Sequence, residues 1–588
     1  MLHELVNYAR RECPDAEPGF APKDVPWAIS LSSSGQFLGL LPLRTTDAKN
    51  DRGKIFPKAP DFSQGELIAG GETKSHFLVE TLAVVAGFGK PDEVAKNAAK
   101  RKYFISLLKQ ASASVPAICA AAPVLEDEQA MDRLRRQLAE AKARPTEKAT
   151  FCMDGAFPVE CDAWHDWWRS FRSGLTQPET STDRMLCLVT GDPVQPAATH
   201  PKISGLPGAN PSGATLIGFD KDAFQSYGLE QSANAAMSEG VAKAYQAGLN
   251  DLIRHHGTRL GNVLIVHWFR STVAPEDDPL AWLQDSTESS EADAQIRARK
   301  LLTAIRDGSR PDLASNTYYA LSLSGNGGRV MVRDWMEGAF EDLAGAIDAW
   351  FSDLAIARPY GGGVALPPRF GGLLSALVRD RKPGQDREDA PAPQAARLFR
   401  AAVRAEPIPF AVMTQALARA RMQFIQGNPP NLARMGLLRA YFARKQRIAK
   451  GAVEMTETVQ PGLTEDLPSP PYQCGRLMAV LASLQHAALG DVGADVIQRY
   501  YAAASSTPAL VFGRLVRTAQ FHLGKVKQDA PGLAWWYEDR IADICTRIGK
   551  SMPATLTLEE QGLFALGYYQ QLAALRAPKE NDTKGGDK

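Results

Sequence analysis

The spacing of apolar and polar positions changes rhythm along this 588-residue chain. Between Tyr318 and Trp335 the period is two: Tyr319, Leu321 and Leu323 alternate with small residues, Gly325-Asn326-Gly327-Gly328 interrupts, and Val330 and Val332 resume it. That pattern predicts strand, tight turn, strand. Upstream, Leu2, Leu5, Val6 and Ala9 fall at helical spacing, and residues 25–31 and 36–40 predict two strands joined by a Ser-Ser-Gly turn. Lys54 and Lys58, set among Pro57 and Pro60, read as a basic, rigid loop. Residues 92–110 and 126–148 read as charged helices, and Trp164, Trp167, Trp168 and Phe171 lie at helical spacing, as a buried aromatic face rather than the alternative of a base-stacking one. Met185 to Asp192 reads as a buried strand ending in a turn, Val263 to Trp268 as a second strand, and Glu337 to Ala355 as a helix. Beyond residue 395 strand signals vanish, and Ala, Leu, Arg and Gln at helical period predict a bundle over 395–575.

These rhythms predict an α+β fold, a mixed N-terminal region of β-hairpins and helices followed by an all-α C-terminal helical bundle. The length calls for more than one domain, because single cores stop growing near about 250–300 residues. We expect regions at 1–165 and 166–380, a linker at 381–395 where Arg381 to Pro393 is rich in charge and proline, a helical bundle at 396–577, and a polar tail at 578–588 that does not order.

Composition refines this only locally. A net charge of +1 excludes a uniformly basic nucleic-acid binder but leaves room for basic patches. One candidate is the helix carrying Lys96, Lys100, Arg101, Lys102 and Lys109, although a basic helix face can simply be solvated. A denser run follows residue 396: Arg397, Arg400, Arg404, Arg419, Arg421, Arg434, Arg439, Arg444, Lys445, Arg447 and Lys450 face only Glu406 in sequence, which reads as a phosphate-binding surface. A second basic helix starts at the cap Ser505-Ser506-Thr507-Pro508 and carries Arg514, Arg517, Lys525 and Lys527. Seven scattered cysteines without a C-x-x-C pair read as reduced thiols, and no apolar run suits a membrane span or signal peptide. A cytoplasmic protein is expected.

Candidate chemistry is sparse. The stretch from Gly70 to Ser75 lacks the glycine that a phosphate loop needs before its lysine; it reads as a loop presenting Lys74, Ser75 and His76 at a helix start, where an anion is favoured, with an ordinary capped helix as the alternative. Asp192, His200 and Ser226 could be assembled for hydrolysis, yet no G-x-S-x-G elbow accompanies them. His267 on an apolar strand reads as a satisfied core histidine. No His/Cys spacing suits zinc, no paired carboxylates suit two-metal cleavage, and the acids from Glu276 to Asp293 read as an exposed insertion. No metal or cofactor is expected. Arg329 and Arg333, four apart on one strand beside a Gly-rich turn, suit phosphate; a plain hairpin with solvated or paired arginines is the alternative.

Several blocks resemble the large subunit of the type I-C CRISPR surveillance complex, Cascade. They are Ser324, Asn326, Arg329, Val332, Arg333 and Trp335 in the hairpin; the order Leu188-Val189-Thr190-Gly191, His200-Pro201, Phe224 to Gly228 and the strand ending at Trp268; and Tyr472, Gly475, Arg476 with Arg499-Tyr500-Tyr501 through Phe512. The resemblance implies a non-catalytic subunit that recognises the protospacer-adjacent motif in duplex DNA, supports R-loop formation and docks the helicase-nuclease. It implies motif contact by Lys74, Ser75 and His76, within a motif-sensing region at 1–165. Nucleic-acid backbone contact is implied for Lys54, Lys58, Lys100, Arg101, Asn326, Arg329, Arg333, Arg419, Arg421, Arg439, Arg444, Arg447, Arg514 and Arg517. Implied partners are guide CRISPR RNA, target double-stranded DNA, the backbone, RNA-processing and small subunits, and the helicase-nuclease. The helical portion resembles the small subunit, which this family also makes by internal translation; Met422, Met435 and Met455 are possible starts. Two other readings stay open: a stand-alone nuclease with an unrecognised site, and a scaffold that does not touch DNA.

Overall fold

The computed structural model describes every residue except 45–50, 63–65, 68–72, 177–183, 285–289, 380–391, 451–458 and 579–588. The fold is α+β, and the chain divides into two compact units. The first holds residues 1–205, 210–251 and 327–330; the second holds 206–209, 252–326 and 331–588. The expected linker at 381–395 lies mostly outside the described residues, as does the tail after residue 578.

The first unit opens with α1 (Leu2–Glu12), whose Leu5, Val6 and Ala9 are buried as the spacing predicts. Strands β1 (Phe20–Val25), β2 (Trp27–Leu31) and β3 (Phe37–Pro42) follow, then β4 (Lys54–Pro60), which pairs antiparallel with β1. The proline-bearing stretch expected as a loop is therefore a strand; in a two-stranded ribbon each strand has a free edge, where a missing N–H is tolerated. β5 (Glu80–Thr81) leads into the single turn α2 (Leu82–Val85), and α3 (Pro91–Ser112), α4 (Ala121–Glu126) and α5 (Glu128–Glu140) precede β6 (Lys148–Met153). The sheet order is β3-β2-β6-β5, with β2 and β6 parallel. Helix α6 (His165–Thr176) packs its aromatic face inward: Trp164 and Trp168 are fully buried, and Trp168 stacks on Phe77 with centroids 5.6 Å apart.

Two further expectations for this unit change. Residues 73–79 are not helical, because Leu78 takes φ +55°, which no helix accommodates. The expected buried strand at Met185 shrinks to the two residues of β7 (Met185–Leu186), paired with β8 (Pro193–Val194), and Leu186 and Leu188 are each 67% exposed. The short strands β9 (Lys202–Ile203) and β10 (Ala214–Thr215) and helix α7 (Glu239–His255) complete the unit.

The second unit carries β11 (Thr258–Leu260), β12 (Val263–Phe269), α8 (Pro279–Gln284), α9 (Ser290–Arg306), β13 (Thr317–Asn326) and β14 (Arg329–Ala339), with strand order β11-β12-β13-β14. The predicted hairpin is present. Tyr318 to Ser324 are all buried; Tyr319 stacks on both Trp268 and Trp335, at 5.4 and 5.8 Å, and those two rings lie 5.6 Å from each other. β14 runs to Ala339, so the following helix α10 (Phe340–Leu354) begins three residues later than the spacing implied. The supposed exposed insertion contributes Leu280, Trp282 and Leu283 to the core. Beyond α11 (Phe370–Leu377) the chain is helical throughout its described part: α12 (Ala392–Arg404), α13 (Phe410–Ile425), α14 (Leu432–Lys450), α15 (Pro470–Leu489), α16 (Val496–Ala504), α17 (Pro508–Asp529), α18 (Pro531–Ile548) and α19 (Leu558–Leu575). One continuous apolar core joins Leu343 and Trp350 of α10 and Leu373 of α11 to Phe399, Met413, Leu438, Leu477 and Phe564.

Candidate nucleic-acid interface

A cation can hold a phosphate only if it is accessible and not already satisfied, and the structure sorts the basic residues by that test. In the first unit Lys54 lies 2.7 Å from Glu160 and 4.2 Å from the Phe157 ring centre, and Lys58 lies 3.6 Å from Glu17. Both are paired along β4. Arg101 points inward from α3 and donates to the carbonyls of Val84 and Val85 in α2 and of Leu125 in α4, at 2.6 Å for the last. A guanidinium there satisfies carbonyls at the C-terminal ends of two short helices, where positive charge is favoured. Lys96, Lys100 and Lys102 remain exposed on α3. Lys102 and Lys109 also line a groove of about 420 Å³ with Gly87, Val94 and Ile105.

The proposed motif contacts are displaced from solvent. Lys74 is 6% and Ser75 1% exposed, so neither side chain reaches a groove of DNA in this fold. His76 is held as a neutral ring: its Nδ1 accepts from the Phe62 N–H at 3.2 Å, while the His76 backbone N–H donates to Glu80. Burial, then the nearby Lys23, push its pKa down to about 4. Against the upward push of burial, Lys23 (3.1 Å) and Lys243 hold the Asp61 carboxyl beside it below the usual range.

At the central hairpin, Gly327 adopts φ +57° and Asn326 is exposed. Arg329 is paired: Nη2 donates to Asp220 at 2.6 Å, and the guanidinium sits 4.4 Å from the Phe224 ring centre. Arg333 is exposed and donates to Ser324 Oγ at 2.8 Å. Of the two alternatives for this hairpin, Arg329 fits the paired one.

The arginine-rich run of α12 to α14 looks unbalanced in sequence because its partners lie elsewhere. Arg400 bonds Asp334 at 2.8 Å, Lys445 bonds Glu559 at 2.6 Å, and Arg444 and Arg447 share Asp353. Arg439 (8% exposed) donates to the carbonyls of Ser352, Asp353 and Val459, and burial lowers its pKa to about 10. Arg444 is 1% exposed. The expectation that Arg439 and Arg444 form a phosphate-binding surface is thus corrected: they tie helices together. Arg421 donates to the Ala502 carbonyl near the end of α16. Arg419 is half-buried.

Helix α17 is different. Its Thr507 cap makes no side-chain cap bond, the hydroxyl bonding the Ala503 carbonyl instead, and the helix starts at Pro508. Arg514 and Arg517 are exposed; Arg514 lies over the Tyr500 ring at 5.9 Å, and Arg517, Lys525 and Lys527 have no carboxylate partner among the described residues. Arg514 and Arg517 are both exposed and have no carboxylate partner among the described residues; Arg419 and Arg421 on α13 have none there either, but Arg419 is half-buried and Arg421 is tied to a carbonyl.

The hydrolytic set does not come together through its hydrogen bonds. His200 bonds Tyr245 at 2.9 Å, and the Ser226 N–H goes to Asn234. His267 is a buried histidine bonded to Asp278 at 2.7 Å, as expected of a core position. Among the described residues no three His, Cys, Asp or Glu side chains gather as a metal site, and no helix is long and apolar enough to cross a membrane. Tyr227, which the sequence reading placed in the block from Phe224 to Gly228 without giving it a role, is fully exposed at φ +55° on a loop braced by the Asn234 side chain. The Tyr-Gly pair after Ser226 was its signal. No curated protein matches the chain. Residues 4–576 match the family described as CRISPR-associated protein (Cas_Csd1), and the chain belongs to that family.

Proposed function

We propose that this chain is the non-catalytic large subunit of a type I-C Cascade, which recognises the protospacer-adjacent motif in duplex DNA, supports R-loop formation and docks the helicase-nuclease. The family match over residues 4–576 carries the reading. The accessible charge agrees with a division of labour: sequence is read by pairing between guide RNA and target, and the protein supplies motif contact and backbone charge. In the first unit that charge sits on α3, at Lys96, Lys100 and Lys102, and we assign duplex contact to this helix instead of the buried Lys74 and Ser75. In the second unit we assign strand contact to α17. The partners of this reading are guide RNA, target DNA, the other Cascade subunits and the helicase-nuclease, all in the cytoplasm.

The test is duplex binding by the assembled guide complex, with and without this chain, on targets that differ only in the base pairs flanking the match. Tight binding that requires both the chain and one flanking sequence supports the reading. Affinity that ignores the flank, or cleavage without a helicase-nuclease, overturns it.

A further inference from the structure

Helix α3 is 22 residues long, but only its second half packs into the first unit. Phe104, Leu107, Leu108 and Ala111 are buried, whereas from Pro91 to Lys100 every residue is exposed except Val94 and Asn97, which are half-buried. Alongside this projecting half, between α3 and the turn α2, runs the groove of about 420 Å³. Ala83, Gly87, Val94, Ala98 and Ile105 give it an aliphatic floor, and Lys102 and Lys109 stand at its rim. The α3 side of the lining extends from Val94 to Lys109, about 22 Å at 1.5 Å per residue, or about four helical turns.

The walls of this groove are held from behind. Arg101 ties α3 to the carbonyls of Val84, Val85 and Leu125, and Arg135 of α5 donates to the Ala86 carbonyl at 3.0 Å. Gly87 at φ +58° keeps the floor clear, since a Cβ there would point toward Val94 and Arg101, at 3.9 and 4.0 Å. The charge around the groove is one-sided. Lys102 has no carboxylate partner among the described residues, and Arg101 directs its donors to carbonyls, so neither charge is offset by a bonded acid. Burial, then the neighbouring Arg135, lower the pKa of Arg101, partly opposed by Glu128, which marks a surplus of positive charge behind the floor. Glu126 is the single acid of the lining, and it is paired with Lys109 at 2.6 Å.

We propose that this groove takes the apolar face of an acidic amphipathic helix supplied by a partner protein, with aliphatic side chains lying over Val94, Ala98 and Ile105 and flanking acids meeting Lys102. The floor and the length decide the occupant. No aromatic ring among the described residues lines the groove, so a base has nothing to stack on, and a phosphate backbone gains nothing by burial against Val94, Ala98 and Ile105. A small molecule calls for an enclosing pocket, whereas a trough about 22 Å long along one helix suits a second helix laid beside it. Val94, Ala98, Arg101 and Ile105 follow the i, i+4, i+7, i+11 spacing that such a helix meets with its own apolar stripe. The surface differs from the duplex contact assigned above. At about 100° per residue, Lys96 and Lys100 lie about 140–180° around α3 from the line through Val94, Ala98 and Ile105, while Lys102 lies about 60° from it and borders the groove. The inference therefore stands independently of the large-subunit reading.

The experiment is fluorescence anisotropy of a labelled helical peptide of about sixteen residues, with leucines at i, i+4, i+7 and i+11 and glutamates at most other positions, titrated with the full chain and its variants. One control peptide carries lysines in place of the glutamates, and another carries serines in place of the leucines. The acidic leucine peptide is expected to bind in the micromolar range and each control about tenfold more weakly or worse. Ala98→Trp fills the groove from an exposed position and is expected to weaken the peptide about tenfold while leaving the unfolding temperature within about 2 °C. Lys102→Glu should weaken it about fivefold, and Lys96→Glu, on the far side of α3, should leave it within about twofold. The proposal is overturned if the acidic peptide does not bind at about 1 mM, if either control binds as well, if Ala98→Trp leaves the affinity unchanged, or if Lys96→Glu weakens binding as much as Lys102→Glu. It is overturned too if Ala98→Trp weakens a blunt duplex as much as the peptide, which would make the groove a nucleic-acid site. Flank-dependent duplex binding by the assembled complex is measured separately: its absence from the unaltered complex removes the large-subunit reading and leaves the groove untouched, and a peptide that ignores Ala98→Trp removes the groove and leaves that reading standing.

Discussion

Arg444 Nε lies 2.8 Å from Asp353 Oδ2, and the two side chains are 1% and 3% exposed. The same guanidinium donates to the carbonyls of Ala401 and Glu406 and lies over the Trp350 ring at 5.2 Å, so one arginine of α14 fastens α10 to α12. A pair so enclosed is tolerated only while both members are present. Asp353→Ala leaves a guanidinium buried without its counter-charge and is expected to cost about 3–5 kcal/mol. Replacing both members by apolar residues of similar volume is expected to recover most of that loss. Urea denaturation followed by tryptophan fluorescence reads both outcomes.

A second stability prediction comes from the approach of α15 to α19. A Cβ on Gly475 would stand 2.0 Å from the Phe564 carbonyl oxygen, and one on Gly567 would stand 2.1 Å from that of Tyr472. Both obstacles are backbone, which cannot swing aside. Either alanine must push the helices apart, loosening the buried bonds from Tyr472 to Gln570 (2.5 Å) and from Arg476 to Gln571 (2.9 Å). We expect Gly475→Ala to destabilise by about 1–3 kcal/mol or more, against a gain for Gly513→Ala on the open face of α17. Equal effects at the two sites would contradict the packing argument.

These comparisons explain how much the sequence disclosed. The hairpin from Tyr318 to Trp335 was legible because a period of two over seven buried residues has one interpretation. The helical bundle was legible for the same kind of reason. The arginines were not, since Arg444 and Arg517 sit in similar surroundings in sequence, and Asp353, the residue that separates them, lies ninety-one positions from Arg444. The loop before β5 misled differently: its glycines and the apolar residues after Phe77 resemble a capped helix, but Leu78 at φ +55°, with its carbonyl accepting from Thr150 Oγ1, turns the chain into the sheet. Backbone conformation set by a distant hydrogen bond leaves no local pattern to read.

His76 makes the first unit sensitive to acid. Its folded pKa of about 4 lies below the ordinary histidine value of 6.5, through burial and then Lys23, partly opposed by Asp61 and Glu80. The unfolded chain therefore takes up a proton before the folded one, and stability is full above about pH 6.5 and falls as pH drops toward 4. The loss is on the order of 3 kcal/mol at its limit. His76→Gln, which keeps an acceptor for the Phe62 N–H, should flatten that part of the pH profile. An unchanged slope between pH 6.5 and 4 would assign the acid sensitivity to other groups.

Tyr227 permits a prediction of the opposite sign. Its side chain is fully exposed, and its left-handed backbone is held by Asn234, which accepts from the Ser226 N–H at 2.8 Å and donates to the carbonyls of Leu229 and Gln231. Tyr227→Gly relieves the backbone at no loss of packing and should leave stability unchanged or raise it by up to about 1 kcal/mol. Asn234→Ala removes the brace and should lower it by about 1–2 kcal/mol. Thermal unfolding of the two variants separates a ring kept for an external contact from one the fold itself needs.

The partition of arginines into ties and free cations has a direct readout in salt. Single-strand affinity falls with the logarithm of salt concentration by a slope of about 0.7 for each phosphate neutralised. Arg514 and Arg517 are exposed on α17 without carboxylate partners among the described residues, so replacing both by glutamine should shallow that slope by about 1.4 while leaving the unfolding midpoint nearly unchanged. Arg439→Gln should do the reverse, because its bonds run to the carbonyls of Ser352, Asp353 and Val459: stability falls by about 2 kcal/mol or more, and the slope measured on the remaining folded protein stays put. Titrations at several salt concentrations, paired with denaturation of each variant, decide the matter. A slope that responds to Arg439 and ignores Arg517 would mean that the strand follows the buried run and not the open face of α17.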